Sequence, residues 1–175
     1  DNLYLDKGDA KNYNQTSGRI RPATLTWMLA EADKARALGK QVVLVQHHNI
    51  VQHYDAQSTL QGDYIVADYE KVSKQFMEHG IHMAFTGHSH LQDIAQYRTI
   101  ADNARLDSLV DVATGSVISY PNPWRTIKVN NEFTEWQINT EYVTTIPSLS
   151  NVQSTCYKSL YNNFKGGLGW HIKDG

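Results

Sequence analysis

The chain has 175 residues, 41% of them hydrophobic and 19% charged, a length that can build one ordinary core and a balance that excludes a disordered chain. Its formal net charge is -2 and its 16 Lys and Arg residues are scattered, so no basic stripe points to nucleic acid. No apolar run approaches the roughly 20 residues that cross a bilayer, and the single Cys156 excludes an internal disulfide and a cysteine metal cage.

In chain order, Leu3-Tyr4-Leu5 reads as a short strand, followed by a polar loop over residues 7–21. Pro22 suits the first turn of a helix, and Leu25, Met28, Leu29 and Ala32 recur at helical spacing until Gly39, which predicts a helix over residues 22–38. The apolar, largely β-branched run Val42-Val43-Leu44-Val45 predicts a strand over residues 42–46 that is covered on both faces in a parallel sheet. His47-His48 ends it, and residues 49–66 read as a long loop. Asp68 can cap a helix whose apolar face is Tyr69, Val72, Phe76 and Met77, with Gly80 as its exit. A second buried strand over residues 82–86 ends at Gly87-His88-Ser89-His90.

Beyond His90 the rhythm changes to strand after strand, a meander over residues 94–99, 109–114, 126–129 and 133–138, with Asn130-Asn131 suiting a tight hairpin turn. Residues 147–164 have some helical character, and Gly166-Gly167-Leu168-Gly169 reads as a flexible run. The fold class is therefore α/β.

The chemistry is concentrated in the histidines. Strand 42–46, helix 68–79 and strand 82–86 make one right-handed βαβ unit, so both strands are parallel and end at the same edge. Ligand sites in open α/β sheets form beyond those carboxyl ends. His47, His48, His88 and His90 all leave the strands there, and imidazole is the commonest protein ligand for zinc, manganese and iron. One such histidine is usually an ordinary polar residue; two pairs at one edge point to a metal site. Gly87 supplies the backbone freedom that the turn needs.

The runs Val42–His48 with Asn49-Ile50, and Ala84-Phe85-Thr86-Gly87-His88-Ser89-His90, resemble the last two signature motifs of the calcineurin-like metallophosphoesterases. The resemblance extends over about residues 1–140 and leaves 141–175 as a carboxyl-terminal extension. It implies the carboxyl-terminal half of a four-layer α-β-β-α sandwich, with two divalent or trivalent metal ions (Mn, Fe or Zn) between the sheet edges. By the same resemblance His47 and His88 bind one metal and His90 the other, while His48 lines the site. The stretch from Asp111 to Ser116, with Tyr120-Pro121, is similar to secreted or cell-surface bacterial members.

The sequence departs from the family in lacking its Asp-x-His, Gly-Asp-x-x-Asp and Gly-Asn-His elements. These supply the bridging aspartate, the other ligands and the histidine that protonates the leaving group, so no catalytic residue is expected in this chain. The chain is accordingly expected to be a fragment whose partner is the missing amino-terminal half, able to hold one metal or none alone. An uncovered sheet edge or face would make it self-associate. Asn49 stands where many members have proline.

Other residues have plainer readings. His53 is a candidate for phosphate contact and Asp93 for orienting an imidazole from behind. Asp55, Asp63 and Asp68 read first as turn-makers and caps, His79 and His82 as surface polar residues, and Trp124-Arg125 as a surface loop. The expected function is hydrolysis of phosphate mono- or diesters by metal-activated water. The alternatives are a non-catalytic metal-binding or interaction module with a degenerate site, and a different metal hydrolase such as an amidase. No Gly-x-Ser-x-Gly elbow is present for a triad enzyme.

Overall fold

The computed structural model describes residues 17–100 and 106–173. The expected strand at residues 3–5 lies outside them. The chain divides into two compact units, Asp1–Ala113 and Thr114–Gly175, which are taken separately.

In the first unit, helix α1 (Pro22–Ala37) begins with Pro at its first turn and ends with Lys34 and Arg36 near its carboxyl end, where positive charge suits the helix dipole. Gly39 then takes a left-handed φ of 70° and turns the chain into β1 (Val42–Val45). Helix α3 (Tyr69–Glu78) leads back into β2 (Ile81–Thr86), which pairs parallel with β1. Asp68 precedes α3 in the left-handed region and makes no side-chain cap, unlike the expected capping role.

The expected meander is replaced by an insertion. Strand β4 (Leu106–Ala113) lies between β2 and β3 (Asp93–Ile100), parallel to the first and antiparallel to the second, giving the order β1-β2-β4-β3. Apolar β4 takes the inner place, with Leu109, Val112 and Ala113 fully buried. Alternating β3 takes the edge, where every second residue faces solvent.

The core fills one side of this sheet. Phe76, Val72 and Met77 of α3 and Leu29 and Ala32 of α1 meet Leu44, Ala84 and Leu109 there; burying a side chain the size of Phe76 contributes about 1.5–3 kcal/mol. The ladder registers place Leu44, Ala84, Asp111 and Ala95 in one row on that side, and Val45, Phe85, Val112 and Ile94 in the next row on the other. In that second row Val45 is 74% exposed and Ile94 47%. The expectation that β1 is covered on both faces is therefore corrected: among the described residues β1 is an edge strand, and its Val43 and Val45 side chains are exposed.

The long loop after β1 is partly ordered into helix α2 (Gln57–Leu60) and a 3-10 turn, Gly62–Tyr64. A parallel bridge between Asn49 and Ile65 closes its ends.

In the second unit, β5 (Pro123–Val129) and β6 (Trp136–Tyr142) form an antiparallel hairpin. Trp124 and Arg125 belong to β5 instead of a loop. The connection is wider than a two-residue turn: Phe133 takes a φ of 57°, and Asn130 Oδ1 accepts from the Thr134 and Glu135 amides. Helix α4 (Val152–Lys173) continues through the glycines expected to be flexible. Half-buried Cys156 accepts from Asn122 Nδ2 at 3.2 Å. Among the described residues no helix is long and apolar enough to cross a membrane.

Candidate functional site

The parallel pairing of β1 and β2 continues past their ends. Gln46 N donates to Phe85 O at 3.1 Å and Gly87 N to His47 O at 3.0 Å. This backbone continuity brings the two histidine motifs side by side. The ring centroids of His47 and His88 are 4.5 Å apart, those of His48 and His88 4.3 Å, and those of His47 and His48 5.4 Å. Tyr64 stacks on His88 at 4.7 Å.

The two members of the first pair differ in setting. His47 is exposed, whereas His48 is 2% exposed and packs over Gly18, where an added Cβ would stand 2.5 Å from its ring. In the second motif the special torsions fall on the histidines themselves: His88 has φ 58° and His90 φ 55°. Gly87, credited with that freedom above, is not in the left-handed region. Non-glycine residues held there cost about 1–3 kcal/mol each and cluster at functional sites. Ser89 N donates to Gly87 O at 2.7 Å and tightens the turn, leaving His90 exposed beyond it.

Behind the imidazoles runs a buried polar circuit. Asp111, fully buried in the middle of β4, accepts at Oδ2 from the Ile50 and Val51 amides at 2.8 and 3.2 Å. Its Oδ1 accepts from Thr86 Oγ1 at 2.5 Å. Thr86 in turn accepts from Asn49 Nδ2 at 2.8 Å, and Asn49 Oδ1 from Gln57 Nε2 at 3.1 Å. Gln57 Oε1 accepts from the His53 amide at 2.8 Å. The His53 ring lies beside the circuit, with Nδ1 bonded to Asp93 Oδ2 at 2.9 Å and Nε2 at the ion-pair distance of 3.4 Å from Asp111 Oδ2.

His53 is thus placed between two carboxylates with its side chain closed to solvent, and Asp93 lies against His53. Asp63 Oδ1 accepts from Ser17 Oγ at 2.7 Å, a loop tie. His79 pairs with Asp33 and His82 with Asp107, away from the strand ends that carry the cluster.

Sequence reading missed Asp111, Thr86, Asn49 and Gln57 as a working group, and Tyr64 as a ring partner. One signal was available: Asp111 interrupts the apolar run Leu109-Val110-Asp111-Val112-Ala113, and a charge in a buried strand needs partners.

Chemically, the edge offers the imidazole nitrogens of three adjacent rings, those of His47, His48 and His88. Among the described residues, no three His, Cys, Asp or Glu side chains are arranged to hold a metal ion by themselves. Imidazole donors of this kind suit zinc, copper, iron and nickel ions. No protein-family model matches this chain, and no curated protein does.

Proposed function

We propose that this chain is the histidine-bearing half of a metal-dependent phosphoesterase that hydrolyses phosphate mono- or diesters. The observation that carries the reading is the 4.5 Å approach of the His47 and His88 rings at the carboxyl ends of two parallel strands. His47 and His88 would hold one cation and His90 the second. Bound there, the metal pair would supply an activated water and offset charge on the phosphoryl oxygens.

The chain's own contribution is positioning. The Gly87–His47 backbone bond fixes the spacing of the two motifs, the left-handed torsions of His88 and His90 aim the second, and Tyr64 limits rotation of the His88 ring. Such prior fixing avoids ordering costs when ligands arrive. The exposed apolar side chains Val45 and Ile94, at the two edges of the row Val45, Phe85, Val112 and Ile94, support a four-layer α-β-β-α sandwich, because a second sheet laid there would bury them. That second layer would bring the carboxylates and the leaving-group histidine.

The test is reconstitution. A longer polypeptide carrying the Asp-x-His, Gly-Asp-x-x-Asp and Gly-Asn-His elements with this chain should hydrolyse an aryl phosphate when manganese or zinc is added. His47→Ala, His88→Ala and His90→Ala should each reduce the rate to background, and this chain alone should show no substantial activity. Equal activity of the chain alone, or indifference to all three substitutions, would overturn the reading.

A further inference from the structure

His53 is a buried titratable group that the chemistry above does not use. Its two ring nitrogens both face carboxylate oxygens, Asp93 Oδ2 at 2.9 Å and Asp111 Oδ2 at 3.4 Å. A carboxylate only accepts, so both contacts are attractive only when both nitrogens carry a proton. A neutral ring would turn a lone pair toward one of the two acids. Asp111 is itself fully buried and is reached by two amides and Thr86, and a nearby positive charge compensates its removal from water.

The position of this ring matters because of what the circuit joins. Asn49 directly follows His48, and Thr86 directly precedes Gly87-His88; Asn49 and Thr86 are bonded to each other, and Thr86 to Asp111. His53 reaches the same assembly twice, by the 3.4 Å ion-pair approach of its ring to Asp111 and by the hydrogen bond of its amide to Gln57, which bonds Asn49. We propose that His53 is a positioning residue, held as an imidazolium between Asp93 and Asp111, which clasps the two histidine-bearing turns together and loosens them when it loses its proton.

Burial works against a charged ring here, but the hydrogen bonding and charge of Asp111, and then of Asp93, outweigh it and hold the His53 pKa above its ordinary 6.5. The charges bearing on the ring come from β4 and β3; from its own loop neutral Gln57 meets its amide. Because the folded pKa is raised, the stabilisation is complete below 6.5, declines as pH rises toward the folded value, and is lost above it. The consequence for catalysis rests on the phosphoesterase reading; the clasp itself does not, and the experiment reads the clasp.

The full chain is titrated by histidine-selective NMR, and its urea unfolding is followed from about pH 6 to about pH 9. The His53 ring, assigned with His53→Gln, should titrate above 6.5. The amide resonances of Ile50 and Gly87 should move with the same midpoint, and the urea midpoint should fall through that range in the native chain but less in His53→Gln. Asp93→Asn, which alters a half-exposed partner, should lower the His53 pKa. A His53 titration at or below its ordinary value, amides that do not follow it, or an equal pH slope in His53→Gln would each overturn the proposal. Should His53→Gln fail to fold, an unchanged His53 titration in Asp93→Asn would overturn it as well.

Discussion

Asn49 donates from Nδ2 to Thr86 Oγ1 at 2.8 Å, so the residue after His48 is bonded to the residue before Gly87-His88. This is a side-chain bond from the loop after β1 to the last residue of β2, and it doubles the backbone bond from Gly87 N to His47 O. The hydroxyl also donates to Asp111, so one oxygen serves both ends of the polar circuit.

Replacing that oxygen should be costly out of proportion to the change in volume. Thr86→Val leaves the Asn49 amide and one Asp111 oxygen short of partners at buried positions, and unmet buried groups cost about 1–3 kcal/mol each. The expected loss is about 2–4 kcal/mol in urea unfolding, with Thr86→Ser recovering most of it. A loss equal to that of an ordinary surface substitution would show that the circuit does not hold the turns.

Gly18 approaches the His48 ring so closely that a methyl group has no room. An added Cβ would stand 2.5–2.7 Å from three ring atoms. Gly18→Ala should therefore displace the ring and lower stability by about 1–3 kcal/mol, read as a lower melting temperature and shifted His48 resonances. Both should change together, since the same contact produces both.

How much of this was legible in the sequence follows from the range of the interactions involved. The helices at Pro22–Ala37 and Tyr69–Glu78 and the strands at Val42–Val45 and Ile81–Thr86 follow from local periodicity and punctuation, and so does the common edge of the two histidine motifs. The insertion of β4 between β2 and β3 does not, because it depends on which apolar strand competes best for an inner place. The exposure of Val43 and Val45 in β1 was also hidden: a run of valines reads the same whether or not a second layer covers it. Asp93 and His53 could each be marked as candidates, but their pairing across forty positions, and the shared use of Asp111, are products of the fold.

The exposed apolar side chains at the two edges of the sheet make a prediction of their own. With Val45 74% exposed and Ile94 47% exposed on one side of the sheet, the chain should self-associate at high concentration. Val45→Lys together with Ile94→Lys should shift it toward monomer in light scattering. Stability should change by no more than about 0.5 kcal/mol per site, because neither side chain is in the packed core. Unchanged association would locate the contact elsewhere.

His47 and His48 are adjacent in sequence and opposite in setting, which separates what each substitution should do. His47 is exposed, so His47→Ala should alter urea unfolding by no more than about 0.5 kcal/mol, yet it should remove metal-dependent hydrolysis from the reconstituted polypeptide. His48 is buried against Gly18 and His88, so His48→Ala opens a cavity and should cost about 2–4 kcal/mol. Any activity lost with His48 should then track the fraction unfolded and recover where the protein is kept folded. If instead His48→Ala abolished activity in fully folded protein while His47→Ala spared it, the ligand would be the second member of the pair, and the metal would have to be reached from the buried side of the turn.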